Sequence, residues 1–530
     1  MKKRKFLVVS NRLPVSVTKK DGVLQFSPSS GGLATALARV HSEGDDRLWI
    51  GWPGIASDEL NSSEKSKIVR ELNKLGCHPI FLTKKQIEKY YDGYSNDTIW
   101  PLFHYFQTYV QHDVDYFEGY KQVNEIFKKA VLKFTDKNTS IWIHDYHLML
   151  LPKLIRDTLP DATIGFFLHI PFPSYEIFRL LPNRKEILEG LLGANLVGFH
   201  VYDYARHFLS SVLRILAIEN SHGTIVIGQR AVKADAFPIG IDYEKFANSH
   251  KMPKTQKEIN NLEKKYAGVK TILSMDRLDY SKGIARRLAA FEEFLKENPA
   301  QRKKVVLVVV AVPSRMQVAT YRKLRLTIEE QISRINKKYG TSKWTPVSYQ
   351  FKNLPFEQVS ALFWVADIAL LTPLRDGMNL VAKEYIATKQ DRPGVLILSE
   401  MAGAVDEMPE AIRINPNDNR EIIKAIKSGL ELSEITQKTN IKLMQQRLSK
   451  YTVHRWAEDF IEQLEETRHW QKHRGDKLLS SESKDKILKS FKNSKSRLIL
   501  LDYDGTLRSF VSSHHPGKAA PSKQLVSLLT

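Results

Sequence analysis

Short runs of continuously apolar residues, each followed by a helical pattern, recur along most of this chain of 530 residues. Runs at 6–10, 48–51, 140–145, 163–168, 196–200 and 235–239 form one series; runs at 270–275, 304–311, 347–351, 367–372 and 395–399 form another. Strands that are apolar throughout, rather than alternating, are buried on both faces, so the pattern predicts parallel sheets covered by helices on each side. After the first run, Leu33, Leu37 and Val40 share one face of an expected helix. A Lys- and Asn-rich piece, 248–265, separates the two series. A chain of this length exceeds one ordinary core. The expected architecture is α/β, with two Rossmann-like domains facing each other across a cleft.

Two stretches suggest what the cleft holds. In LLTPLRDGMNLVAKE, residues 370–384, Thr372-Pro373 stops a strand, Gly377 relaxes a turn, and a helical pattern starts at Asn379. A strand, a turn and a helix N-terminus together form an anion site, because the first helical N–H groups lack partners and the dipole end is positive. Asp376 and Glu384 cannot themselves bind phosphate but suit sugar hydroxyls, so phosphate and sugar are expected together, as in a nucleotide sugar. In SMDRLDYSKG, residues 274–283, Arg277 and Lys282 follow another apolar strand. Two cations at a strand's carboxyl end suit a diphosphate.

Composition excludes several classes. No apolar run reaches the roughly 18 residues of a bilayer span, so no membrane partner is expected. The basic start MKKRKFLVVSNRLP has an apolar run of only 6–9, too short for a secretory signal, and reads as a first strand. Cys77 is the only cysteine, which rules out an intrachain disulfide and points to a reducing, cytoplasmic location. The net charge of +21 is scattered, with no basic arm, zinc-ligand set or RNA-binding aromatic signature, so no nucleic-acid partner is expected. His144 and His147 flank Asp145, but no second cluster completes a coordination set. Self-association into a homo-oligomer stays open, as does the donor's base.

The motifs SNRLPV, SSGGL, YYDGYSNDTIWPLFHY, WIHDYHLML, GFFLHIPFPSYEIFR, GFHVYDYARHFL, PIGID, MDRLDYSKGI, PSR and LRDGMNLVAKE occur in that order. From residue 6 to about 470 the chain thereby resembles the trehalose-6-phosphate synthases, retaining glycosyltransferases of the GT-B architecture. The resemblance implies transfer of glucose from UDP-glucose to glucose 6-phosphate, giving α,α-trehalose 6-phosphate and UDP. It further implies that Gly31 and Gly32 form a donor loop, and that Arg12 and Arg315 grip the acceptor phosphate, where guanidinium forks bind bidentately. Tyr91 and Trp100 match acceptor-site aromatics, and Asp145, expected to end its strand, matches an acceptor-sugar ligand. His169 matches a residue against the donor glucose near the reacting centre. Leu354 matches a residue beside the uracil. Leu380, Val381, Ala382, Lys383 and Glu384 match the segment holding donor phosphate and ribose through backbone N–H groups and a carboxylate. His169, Arg277, Lys282 and Asp376 are the expected catalytic set.

The expected divisions are 1–245 for the acceptor side, 246–455 for the nucleotide-sugar side, a closing helix at 456–470 with Trp456, Phe460 and Leu464 at four-residue spacing, and a polar linker at 471–495. Residues 496–530 are a fragment of another kind. Asp502 and Asp504 lie in DYDGT after an apolar strand, a pattern resembling the first motif of haloacid-dehalogenase-type phosphatases. There the first Asp is the nucleophile, the second the general acid/base, and Mg²⁺ binds beside them. Roughly 35 residues are too few for that domain, so the expectation is a truncation or a vestige without phosphatase activity.

The family is thought to lack a carboxylate nucleophile, which implies a front-face route. The protein then positions substrates and stabilises leaving-group charge, with side-chain cations instead of a metal cofactor. Two rivals are a synthase using glycerol 3-phosphate and a non-catalytic regulatory subunit that binds sugar phosphate. The intact Arg12, Tyr91, Trp100 and Arg315 set argues against the first. The presence of Arg277, Lys282, Asp376 and Glu384 argues against the second.

Overall fold

A computed structural model describes residues 5–29, 46–136, 138–315, 317–477, 481–496, 524, 525 and 527. The expected helix carrying Leu33, Leu37 and Val40, the Gly31-Gly32 loop, and Asp502 and Asp504 all lie outside the described residues. The chain forms two units, Met1–Gln471 and Lys472–Thr530.

The first unit contains, in chain order, β1 (Lys5–Arg12), β2 (Val15–Lys20), β3 (Val23–Pro28), β4 (Asp46–Trp52), β5 (Cys77–Pro79), β6 (Thr139–His144), β7 (Thr163–Phe167), β8 (Leu196–Phe199), β9 (Asn220–Ser221), β10 (Thr224–Ile227) and β11 (Arg230–Ala236). It continues with β12 (Lys270–Arg277), β13 (Val305–Val312), β14 (Val347–Phe351), β15 (Ile368–Leu371), β16 (Val395–Ser399) and β17 (Ile412–Ile414). One sheet has the order β5-β4-β1-β6-β7-β8-β11-β10-β9, a second β14-β13-β12-β15-β16-β17, and β2 and β3 form a separate hairpin. The second sheet is parallel throughout, as the unbroken apolar runs predict.

The first sheet departs from that expectation at one edge. The last predicted strand of its series, 235–239, is observed as β11, which starts earlier and pairs antiparallel with β10. The cause is local: the β9–β10 turn holds His222 and Gly223 at positive φ (48° and 78°), and Gly228 at 59° opens the turn into β11. Neither this hairpin nor β2–β3 was expected from the run pattern, because both are partly exposed and carry short, mixed sequences.

Both large sheets reverse strand order in the middle. After β1 the chain builds β4 and β5 on one side, then returns to place β6 on the other; after β12 it builds β13 and β14, then returns to β15. Ligands of open α/β sheets bind in the crevice at such a reversal, beyond the strands' carboxyl ends. Each sheet therefore offers one crevice, at β1/β6 and at β12/β15.

The closing helix ties the second half back to the first sheet. It runs Val453–Lys477, longer than expected, and Val453 N–H donates to the Ile241 carbonyl. Phe460 stacks on Trp142 at 4.6 Å and Trp456 lies 5.0 Å from Phe167, all four fully buried. A Cβ at Gly165 or Gly198 would sit 2.7 Å from the Phe460 ring, so the approach requires glycine at both positions. Truncating such a buried aromatic removes about 3–5 kcal/mol. In the second unit, the stretch read as a polar linker includes a helix, Ser481–Asn493. Its lysine- and serine-rich composition hid a helical pattern with Ile487, Leu488 and Phe491 exposed. Among the described residues no helix is long and apolar enough to cross a membrane.

Candidate active site

At the β1/β6 crevice, Arg12 is the last residue of β1, and its guanidinium lies 4.2 Å from the Trp52 ring and 6.0 Å from that of Tyr91. Tyr91 stacks in turn on His147 at 5.7 Å. No ion-pair partner of Arg12 occurs among the described residues, so a cation fixed by aromatic faces is left for an outside anion. Tyr91 and Trp100 come from YYDGYSNDTIW, which forms a π-helix over Glu88–Ile99 with Trp100 directly after it. A π-helix widens the turn and is frequent at functional sites; no sequence signal foretold it.

Asp145 follows β6 rather than ending it. At φ 75° it turns out of the strand, and Oδ1 accepts the His169 N–H at 3.2 Å. Burial pushes its carboxyl up to about 6, opposed first by the Tyr146 and His169 backbone N–H groups and then by Arg277 and Arg315. His169 stands two residues beyond β7, and its Nε2 lies 3.1 Å from His144 Nδ1. Burial, then the neighbouring His200 ring, holds the His169 imidazole well below its ordinary value, so it is neutral.

At the β12/β15 crevice, Arg277 is the last residue of β12, slightly further along the strand than expected, and its guanidinium lies 5.4 Å from the Trp100 ring of the first half. Lys282 and Asp376 form an ion pair of 2.6 Å, and Asn379 Nδ2–H also donates to Asp376 Oδ2 at 3.0 Å. The two groups assigned separately to diphosphate and sugar thus pair with each other. Burial would raise the Asp376 carboxyl, but Lys282 and then Asn379 and His104 hold it below its ordinary value.

Within the 380–384 segment, backbone and side-chain groups face different partners. Asn379 caps the helix Leu380–Thr388, its Oδ1 accepting the Ala382 N–H. That leaves the Leu380 and Val381 N–H groups for a phosphate, consistent with a helix N-terminus facing an anion. Lys383 presents no free side chain: it is fully buried, and Nζ donates to the Ile239 carbonyl and to Glu407, each at 2.7 Å. Glu384 is partly buried, and desolvation, opposed by Lys245, pushes its carboxyl up to about 7. Leu354, Leu380 and Val381 pack partly buried against one apolar cluster, a wall fit for a base.

Arg315 belongs to both crevices. Its side chain is buried, its φ is 49°, and its guanidinium lies 3.9 Å from the Trp100 centroid. Nη1 donates to Asp279 Oδ2 at 3.0 Å and Nη2 to Tyr146 Oη at 3.1 Å, so it straps the second half to the first. Burial pushes the Asp279 carboxyl up, but Arg315 and Arg277 more than offset this and keep it ionised. The halves meet again at Tyr204, whose hydroxyl donates to the Asp376 carbonyl at 3.1 Å, and at Gly377, where a Cβ would lie 2.3 Å from the His169 carbonyl.

Three supporting residues escaped the sequence reading. Asp279 and Tyr146 carried a signal, an acid inside the basic stretch DRLDYSK and a tyrosine inside HDYHL. Arg287 sits on the apolar face formed by Ile284, Leu288 and Phe291, and is wholly buried. It donates to Asp276 at 2.8 Å, to Thr372 and to the Lys282 carbonyl, locking the ends of β12 and β15 beside Lys282. Among the described residues, no group of three or more His, Cys, Asp or Glu side chains is placed to hold a metal ion.

Comparison with known proteins places this geometry. The sequence pattern of glycosyltransferase family 20 matches residues 4–466. The bifunctional trehalose-6-phosphate synthase/phosphatase of Thermoproteus tenax is 42% identical over 538 aligned positions, covering 99% of this chain and 72% of that protein. The UDP-forming α,α-trehalose-phosphate synthase of Candida albicans is 44% identical, over 87% of this chain and 97% of that one. A crystal structure of the UDP-forming synthase of Burkholderia xenovorans in complex with glucose 6-phosphate superposes with a TM-score of 0.78 at 32% identity, covering 87% of this chain and all of that one. Two facing sheets with reversed strand order, their cationic crevices and a family match across both halves lead to one assignment: this chain belongs to glycosyltransferase family 20 and has its GT-B fold.

Proposed function

We propose that the chain transfers glucose from UDP-glucose to glucose 6-phosphate with retention, forming α,α-trehalose 6-phosphate and UDP. The observation that carries this reading is a pair of strand-order crevices facing each other, with Arg12, which has no ion-pair partner among the described residues, on one rim and Arg277, the Lys282–Asp376 pair and a helix N-terminus on the other. Relatives named for this reaction, one of them with glucose 6-phosphate bound, support it.

Residues 1–245 form the acceptor side and 246–455 the donor side. Arg12 and Arg315 take the acceptor phosphate, while Tyr91, Trp100 and Asp145 shape the pocket for its sugar. Arg277, Lys282 and the Leu380 and Val381 N–H groups take the diphosphate; Asp376 and His169 hold the transferred glucose; Glu384 takes the ribose, and Leu354 lies beside the base. The bond from the glucose anomeric carbon to the diphosphate oxygen breaks. The acceptor's anomeric hydroxyl then bonds to that carbon on the same face, and its proton passes to the departing phosphate oxygen. The protein's part is orientation and stabilisation of the leaving charge. Because side-chain cations carry that charge, the reaction proceeds without a metal. The single buried thiol, Cys77, pushed up to about 11 by burial, suits a reducing cytoplasm.

The test is release of UDP from purified protein with UDP-glucose and glucose 6-phosphate, with trehalose 6-phosphate identified as product and EDTA present in one arm. Turnover only with glycerol 3-phosphate would overturn the acceptor. Binding without turnover would indicate a regulatory subunit, and loss of rate in EDTA would overturn metal independence.

A further inference from the structure

The reaction as drawn uses His169 but not the histidine behind it. His144 is the last residue of β6 and wholly buried, its ring 4.5 Å from that of Trp142 and 5.4 Å from that of His169. Its Nδ1 lies 3.1 Å from His169 Nε2, and its own Nε2 is buried with no partner among the described residues. His169 Nδ1 has no hydrogen-bond partner among the described residues and is not among the buried unpartnered atoms, so it is the ring nitrogen left open.

Two neutral imidazoles in contact share one proton between the facing nitrogens, and there are two ways to place it. If His169 Nε2–H donated to His144 Nδ1, His144 would carry its own proton on Nε2, as a buried N–H with nothing to accept it. If His144 Nδ1–H donates to His169 Nε2, the sealed His144 Nε2 is a bare acceptor, and no N–H is orphaned. An unmade buried N–H is the more expensive defect, since orphaned donors are the rarer kind in native structures. Both rings are kept neutral, His144 by burial and then by His169, and His169 by burial and then by His200.

We propose that His144 is a positioning residue whose Nδ1–H fixes the tautomer of His169, so that His169 presents Nδ1–H as a donor to the cleft. The substrate group it meets is an oxygen acceptor, a hydroxyl of the transferred sugar, a point that rests on the function proposed above. Without His144 the His169 ring would be free to place its proton on Nε2, turning a lone pair toward that hydroxyl.

The test uses the whole chain with ring-¹⁵N histidine, together with three variants. His144→Phe keeps an aromatic ring against Trp142 and removes the donor, while His144→Asn puts an amide N–H near the position of Nδ1. His169→Gln assigns the His169 signals. The expected result is a protonated Nδ1 on His169 in the native protein, mixed protonation in His144→Phe, and a return toward the native state in His144→Asn. In step with this, His144→Phe should lower kcat by about 10- to 100-fold, with KM for both substrates within about 3-fold, and His144→Asn should recover most of the loss. A native His169 protonated on Nε2 overturns the proposal, as does full turnover in His144→Phe. Failure of the two substrates to react in the native protein would leave the ¹⁵N readout intact, so it would strike the function and not the tautomer.

Discussion

Removing Lys282 separates what this site does for stability from what it does for catalysis. Its Nζ lies 2.6 Å from Asp376 Oδ2, and the two side chains are 9% and 14% exposed. In Lys282→Ala, Asp376 keeps only the Asn379 amide as side-chain donor. A buried pair that loses one partner is destabilised by about 2–4 kcal/mol, because the remaining charge is desolvated and uncompensated. Unfolding entropy of about 2.1 cal/mol/K per residue over the first unit gives about 1 kcal/mol per degree, so Tm should fall by about 2–4 °C at pH 7. The sign of the pH dependence is fixed. In the native protein Lys282 holds the Asp376 carboxyl below its ordinary value, so this stability is present above pH 3.8 and is lost as pH falls through the folded value. In the variant, burial dominates and the carboxyl rises, so the Tm deficit should shrink as the pH is lowered and the group protonates. The double variant Lys282→Met/Asp376→Leu removes both charges and should regain most of the lost Tm. Turnover should behave differently: loss of a leaving-group cation lowers kcat by about 10²- to 10³-fold, and the double variant should recover none of it. Scanning calorimetry across pH, paired with the UDP-release assay, reads both. An unchanged Tm in the single variant, or recovered turnover in the double, would refute the reasoning.

Further outcomes follow from other side chains of the cleft. Glu384→Gln should stabilise the unliganded protein by about 1–2 kcal/mol at pH 8, with the gain vanishing near pH 4. The reason is that burial raises the folded carboxyl from 4.5 to about 7, so stability is lost as pH rises between those two values and the loss is complete above the second. The same variant should bind UDP-glucose about tenfold more weakly by calorimetry, since a ribose hydroxyl is worth roughly one charged hydrogen bond. Arg315→Lys cannot reproduce a fork that reaches Asp279 and Tyr146 at once, and KM for glucose 6-phosphate should rise by about 10- to 100-fold in initial-rate measurements. Gly377→Ala puts a Cβ against the His169 carbonyl, so kcat should fall by at least about tenfold with little change in the far-ultraviolet circular dichroism.

The strands and their burial were legible because a parallel strand covered on both faces must be apolar at every position; β14 and β16 fall where the runs predict. The antiparallel edge, β9 to β11, was not, since its strands are short and half exposed and its register depends on turn geometry. The composition of 471–495 indicated polarity, and a polar segment can still be helical. At the site, strand ends were legible as positions but not as partners. Arg277 and Lys282 stand five positions apart in one motif, yet one has no ion-pair partner among the described residues and lies toward Trp100 while the other is paired with Asp376, ninety-four residues away. Such pairings depend on which loops the two strand-order reversals bring together, information a linear motif does not hold. They also have a common logic. Among the buried charges, Lys282 is satisfied by Asp376, Arg315 by Asp279 and Arg287 by Asp276. Arg12 and Arg277, both exposed at strand ends and resting against aromatic rings, are two cations that, among the described residues, have no carboxylate to give up before taking a substrate phosphate. One stands in each half, so an anionic acceptor and an anionic donor can each be drawn in before the internal pairs rearrange. On the roles proposed above, Arg12→Ala and Arg277→Ala should therefore raise KM for glucose 6-phosphate and for UDP-glucose respectively in initial-rate measurements, more than they change Tm.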